Sequence, residues 1–170
     1  EFRRVLFRSD WDHVTFRDPI DTALFPITAQ HWATCSSGAQ LAGLIRLEAL
    51  VTWGGVYVDS DVEPFRPLDP LLALEAFCGW EDETTIPDAV LACRPGHPAF
   101  EACLVAAIKA VKAGKDAWTS GPGVTTRILK GRADVVAFPP GTFYEAHYLQ
   151  KCKLTDKPKG YEFLRHHWHH

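Results

Sequence analysis

Two aspartates, Asp59 and Asp61, are spaced so that their carboxylates can act together. They follow a short β-prone run, 56–58, and are separated only by Ser60. Alternation along an extended chain points residues i and i+2 to the same side. Paired carboxylates suit a hard divalent cation such as Mn²⁺ or Mg²⁺, which can bridge the phosphates of a diphosphate ligand. The spacing therefore predicts a metal site, although Asp-Ser-Asp is also a common polar turn.

The elements before this pair must position it. Apolar residues at helical spacing predict a helix over residues 37–53, with a serine cap at its start and Gly54 at its end. Arg46 lies on the polar side of this helix with Glu48, where a solvated salt bridge is the alternative to a ligand contact. Gly54 and Gly55 let the backbone approach a ligand closely.

The rest of the chain alternates between strand-like and helix-like segments. Strands are predicted at 13–16, 76–80, 89–93 and 135–138, and helices at 70–75, 98–113 and 122–130, with 161–168 as a last strand or strap. This alternation predicts an α/β fold with crossover connections. Strand 56–58 is expected inside the sheet because it is apolar or aromatic on both sides.

Length and composition limit the choices further. The chain has 170 residues, of which 46% are hydrophobic and 23% charged, and its formal net charge is −3. One domain with a real core is expected, which excludes wholesale disorder. The acidic balance argues against a general nucleic-acid partner. No apolar run is long enough to span a bilayer.

The five cysteines form no zinc-binding pattern. Most lie in apolar stretches, which indicates buried free thiols in a reducing compartment. A cytoplasmic location is expected, with peripheral attachment to a membrane left open. Residues 1–9 are interpreted as a non-native leader, and residues 10–170 as a single domain.

The central motif resembles a known signature. The pattern R-x3-L-x3-GG-x-Y-x-D-x-D, from Arg46 to Asp61, is similar to the DxD signature of glycosyltransferase family 32. The similarity extends to Val62-Glu63 and Pro67-Leu68-Asp69. It extends more loosely to Gly121-Pro122-Gly123 and to the His166-His167-Trp168 tail.

This resemblance implies a GT-A-type fold, with a central, mostly parallel sheet flanked by helices. It implies a metal-dependent, retaining transferase that moves a hexose from a nucleotide diphosphate sugar to a hydroxyl of a glycan or polysaccharide. Members include α-mannosyltransferases and capsular-polysaccharide enzymes. The implied cofactor is Mn²⁺ or Mg²⁺.

The resemblance also assigns roles to individual positions. Asp59 would contact the donor sugar or ribose, Asp61 would ligate the metal, and Tyr57 would support the strand rather than touch the substrate. The expected catalytic residues are Asp59, Asp61 and Arg46; the donor-binding set is Arg46, Gly54, Gly55, Tyr57, Asp59, Gly121 and Pro122; the metal ligands are Asp59, Asp61 and His167.

Two departures from the family pattern bear on function. The family usually has an aspartate three residues before the arginine, where this chain has Gly43. The absence of this carboxylate therefore puts the sugar selectivity, or the activity itself, in question. The family also has more sequence at both ends, so the native protein is expected to be longer.

Two other functions stay open at this stage. A phosphatase of the haloacid-dehalogenase type also places DxD after a strand, with Asp59 as nucleophile and Asp61 as acid/base. A degenerate, non-catalytic carbohydrate- or nucleotide-binding module is the other alternative, in which activity was lost with Gly43.

Overall fold

A computed structural model of the chain describes residues 20–145 and 160–167. The proposed leader 1–9, the predicted strand 13–16, Cys152 and Trp168 lie outside the described residues. Within them, no helix is long and apolar enough to cross a membrane. The cytoplasmic location stays a prediction.

The first helix, α1, spans Gly38–Trp53 and closely matches the predicted segment. Ser37 caps it by accepting a hydrogen bond from the backbone N–H of Gln40. Gly54 ends the helix with φ 68°, a left-handed conformation that favours glycine. A Cβ at Gly54 would lie 2.6 Å from the Pro95 ring, so this turn is also tightly packed.

The main sheet is built from four strands in the described residues. They are β1 (Gly55–Val58), β3 (Ala76–Gly79), β4 (Val90–Cys93) and β5 (Val136–Phe138), in the order β1-β4-β3-β5. β4 pairs antiparallel with both β1 and β3, and only β3 and β5 are parallel.

The predicted mostly parallel sheet is therefore wrong, because the sheet is mixed. Parallel neighbours need a crossover connection, usually a helix. The chain between β3 and β4 contains no helix, whereas the helices between β4 and β5 provide the crossover that lets β5 run parallel to β3. In the described part of the chain, β1 is an end strand of this sheet and is half-buried, contrary to the predicted interior position.

Three further helices follow β4: α2 (Pro98–Lys112), α3 (Ala117–Ser120) and α4 (Pro122–Leu129). Helices α1 and α2 pack together, and both contribute to one apolar cluster with the sheet. Their apolar side chains and those of the sheet form one cluster that includes Leu44, Leu47, Cys78, Leu91, Phe100 and Leu104. Alternate strand residues, including Phe77, Val90 and Ala92, belong to a second cluster with Tyr144 and Leu164. This division follows the two-residue period of strands.

A small second sheet connects the tail to the acidic motif. β2 (Val62–Pro64) pairs antiparallel with β6 (Leu164–His166), and Val62 lies opposite His166. β6 falls within the predicted segment 161–168, but β2 was not predicted. Because β2 begins directly after Asp61, this pairing brings the end of the chain to the two aspartates.

Candidate metal and donor site

The described residues include a cluster that could hold a metal ion, formed by Asp59, Asp61 and His166. One ligand atom from each residue lies within 4.8 Å of the others. The aspartates leave the end of β1, and His166 reaches them from β6. His166 Nε2 is 3.0 Å from Asp61 Oδ1 and 3.5 Å from Asp59 Oδ2.

The two oxygens of Asp59 have different surroundings. Oδ1 accepts hydrogen bonds from Arg46 Nη2 at 3.0 Å and from the Tyr57 hydroxyl at 2.7 Å. Oδ2 faces His166. Arg46 and Tyr57 therefore fix the orientation of the carboxylate that turns its other oxygen to the cluster.

Charges around Asp59 keep it ionised. Burial raises the pKa of Asp59, but the Arg46 guanidinium and hydrogen bonds from His166 and Tyr57 outweigh burial and lower it to about 2. Asp59 is therefore an anion at neutral pH and can bind a cation without first losing a proton.

The pKa of His166, the histidine of the cluster, depends on the same two carboxylates. Burial lowers the pKa of His166, but hydrogen bonds to Asp59 and Asp61 outweigh it, so the pKa is raised. The Tyr144 ring packs edge-on against the imidazole, with centroids 6.1 Å apart. Without a metal, a protonated His166 can bridge the two carboxylates.

The donor set fits a divalent cation. The two carboxylates supply the oxygen ligands that hard divalent cations prefer, and the imidazole adds a nitrogen ligand that transition-metal ions accept more readily than Mg²⁺ does. The side chains of Asp59 and Asp61 are 27% and 15% exposed, so the cluster opens to solvent rather than being sealed in the core.

His167, the histidine predicted as a ligand, points elsewhere. Its Nε2 is 3.0 Å from Glu63 Oε2, and its backbone N–H donates to the Asp61 carbonyl. Neighbouring residues of a strand face opposite sides, so only one of two adjacent histidines can meet the aspartates. The β2–β6 register selects His166.

Arg46 is nearly fully buried and stands beside the cluster. Besides Asp59, it pairs with Asp88, with Nη1 2.9 Å from Asp88 Oδ2, and it also donates to the Asp88 carbonyl. Its guanidinium lies 4.4 Å from the centre of the Tyr57 ring. Arg46, Tyr57 and Asp59 therefore lie in contact with one another, and Asp88 contacts Arg46 from the other side.

Sequence reasoning missed Asp88. It lies just before β4, far along the chain from Arg46, and no local pattern marks it. Burial raises the pKa of Asp88, and the Arg46 cation opposes that effect. The only signal in the sequence was an acidic residue just before a buried strand, and this signal does not indicate that Arg46 is its partner.

The predicted glycines divide into two groups. Gly121 lies against Asp88, because a Cβ at Gly121 would be 2.9 Å from Asp88 Oδ2, and Pro122 opens α4 directly after it. Gly54 and Gly55 lie at the opposite end of β1, roughly 17 and 13 Å respectively along an extended chain from Asp59. The structure does not bring Gly54 and Gly55 to the carboxylates.

Comparison with known proteins agrees with part of this site. Residues 10–78 match a family model described as the glycosyltransferase sugar-binding region containing a DXD motif. This segment holds Arg46, Asp59 and Asp61, but neither Asp88 nor His166. The match supports a glycosyltransferase.

No curated protein sequence matches the chain. One similar solved structure is titled PaToxG glycosyltransferase, with a TM-score of 0.49 and 23% sequence identity. The similarity covers 62% of this chain and 39% of the chain in that structure.

Proposed function

We propose that this chain carries the donor-binding part of a metal-dependent, retaining glycosyltransferase. It would move a hexose from a nucleotide diphosphate sugar to a hydroxyl group of a glycan or polysaccharide. The observation that carries the proposal is the convergence of Asp59, Asp61 and His166 at the end of β1, two of them in the segment that matches a DXD glycosyltransferase region.

Asp59, Asp61 and His166 would hold Mn²⁺ or Mg²⁺, whose charge would offset that of the departing diphosphate. Manganese is the better fit because of the imidazole. In the transfer, the bond from the anomeric carbon to the diphosphate oxygen breaks and its electron pair stays with the diphosphate. The acceptor oxygen forms the new bond on the same face of the sugar, and its proton passes to the leaving diphosphate.

The chain's own residues would prepare this site in two ways. Tyr57 and Arg46 hold Oδ1 of Asp59, so the carboxylate is oriented before a ligand arrives. Arg46 would also bring a buried positive charge close to the leaving diphosphate. In a low-dielectric cleft, one preorganised contact of this kind typically contributes about 10²–10³ in rate.

A non-catalytic sugar- or nucleotide-binding module is the second candidate. Gly43 favours it, since this position lacks the carboxylate that the family resemblance implies. Such a module would bind a nucleotide sugar without turning it over. The phosphatase alternative gains no support from the comparisons, because residues 10–78 match a glycosyltransferase region.

Turnover of nucleotide sugars with Mn²⁺, compared with the same assay in a chelator, tests the proposal. Asp61→Asn should lower turnover by about 10²–10³-fold. Asp134→Asn is the matched control, because Asp134 pairs with the surface residue Arg132 at 2.6 Å. Equal turnover with and without chelator would refute metal dependence. Binding without turnover would favour the module.

The configuration of the product tests the retaining mechanism separately. NMR of the first-formed product should show the same anomer as the donor. An inverted product would refute retention while leaving the transferase proposal intact.

A further inference from the structure

Arg46 lies between two carboxylates, and only one of them belongs to the DxD motif. Nη2 contacts Asp59 and Nη1 contacts Asp88, at 3.0 and 2.9 Å. The Asp88 side chain is 19% exposed, so it is not sealed behind the guanidinium. The loop before β4 therefore adds a second, partly exposed carboxylate beside the Arg46 guanidinium.

The space around Asp88 is created by two glycines. Gly43 lies one turn before Arg46, on the same face of α1, and a Cβ there would find Asp88 Oδ2 as its nearest neighbour, at 3.9 Å. A Cβ at Gly121 would approach the same oxygen to 2.9 Å, closer than side chains tolerate. A carboxylate on residue 43 would therefore compete with Asp88 for one place beside Arg46.

We propose that Asp88 binds hydroxyl groups of the transferred sugar, supplying from the loop before β4 the carboxylate that residue 43 lacks. This inference rests on the proposed transferase function and names the residue that selects the donor sugar. An ionised carboxylate has about four acceptor positions, so its contact with Arg46 leaves capacity for sugar hydroxyls. Such charge-assisted hydrogen bonds are stronger than neutral ones.

A purely structural role for Asp88 makes a different prediction. If Asp88 only neutralised Arg46, its loss would disturb Arg46 and, through it, Asp59. The nucleotide diphosphate and the metal would then bind more weakly whether or not a sugar is attached. If Asp88 contacts the sugar, only ligands that carry the sugar should lose affinity.

The experiment measures the binding of two ligands in the presence of Mn²⁺. UDP-glucose, UDP-galactose, UDP-N-acetylglucosamine and GDP-mannose are screened against the wild-type chain by calorimetry, and the best binder is compared with its parent UDP or GDP. Asp88→Asn should raise the Kd of the nucleotide sugar about tenfold to hundredfold, the range for a hydrogen bond to a charged group. The Kd of UDP or GDP should change by less than about twofold, a difference of roughly 0.4 kcal/mol.

Two further variants complete the test. Asp134→Asn, the surface control, should leave both affinities unchanged. Gly43→Asp combined with Asp88→Asn returns a carboxylate to the same place from α1, and should restore sugar affinity to within about threefold of wild type, a gap of roughly 0.65 kcal/mol. This rescue also covers the case in which Asp88→Asn is poorly folded, as judged from its Tm.

The outcomes separate the two proposals. Equal weakening of both ligands by Asp88→Asn, no weakening of either, or no rescue in a double variant with wild-type Tm would each overturn the role of Asp88. A folded wild-type chain that binds none of these nucleotides with Mn²⁺ would overturn the proposed function, and this inference with it.

Discussion

Replacing His166 with alanine, and separately His167 with alanine, tests the metal site at two neighbouring positions of the chain. His166 is buried, with Nε2 3.0 Å from Asp61 Oδ1. His167 is partly exposed and pairs with Glu63 on the other side of β6. The two variants remove the same side chain, so their difference reports position alone.

The expected magnitudes follow from these surroundings. Groups that merely orient a metal ligand contribute about 10–100-fold to metal affinity. Removing a ligand should cost at least that much, so we expect His166→Ala to raise the Kd for Mn²⁺ by about 100-fold. The pair of His167 with the half-exposed Glu63 is of the surface type, which contributes about 0–1 kcal/mol to stability. His167→Ala should therefore leave the Kd within about twofold of wild type.

Electron paramagnetic resonance of free Mn²⁺ measures this affinity directly, without a substrate and independently of turnover. Circular dichroism should show that both variants keep the wild-type helix content. A greater loss in His167→Ala, or wild-type affinity in His166→Ala, would refute the assignment of the third ligand.

Three more outcomes are expected. The pKa of His166 in the folded chain is raised above its ordinary value of 6.5, so its ion pair with the aspartates stabilises the metal-free chain below pH 6.5, and this contribution is lost as pH rises through the folded pKa. Because Mn²⁺ needs a neutral imidazole, the Tm increase caused by Mn²⁺ should grow with pH. A Tm increase that does not depend on pH would contradict this. Glu48→Gln should lower the free energy of unfolding in urea by about 1–3 kcal/mol, because the fully buried Glu48 carboxylate accepts hydrogen bonds from the backbone N–H groups of Ile27 and Thr28 at 2.8 and 2.7 Å. Glu75→Gln, at an exposed position, is the control. Equal effects of the two substitutions would refute the stabilising role of the Glu48 hydrogen bonds. Burial raises the pKa of the Cys78, Cys93 and Cys103 thiols to about 12. Of the four cysteines that the structure describes, iodoacetamide at pH 8 should therefore label the half-buried Cys35 first and the other three only after unfolding, as peptide mass spectrometry can show.

Local elements of the fold were predictable because their signals lie within a few residues of each other. The N-cap Ser37, the apolar stripe and the terminal Gly54 define α1 almost to the residue. Strand β1 and the placement of Asp59 and Asp61 after it follow from the same short-range pattern. These features depend on backbone conformation and capping, which neighbouring residues decide.

Pairings between distant segments were not predictable in the same way. The mixed sheet depends on whether a connection contains a crossover helix and on which strands meet. The choice of His166 over His167 depends on the register of β6 against β2, where a shift of one residue turns every side chain to the opposite face. No periodicity within the tail contains that information.

The sequence by itself therefore determined the acidic motif, the helix that carries Arg46 and the chemistry that paired carboxylates favour. Only the tertiary structure decided which distant side chains lie beside that motif and Arg46: His166 from β6 and Asp88 from the loop before β4. The physical reason is that hydrogen-bonded pairing and close packing join residues whose separation along the chain carries no signal. The absence of a side chain at Gly43 can be interpreted only from the tertiary structure, which places the Asp88 carboxylate beside it.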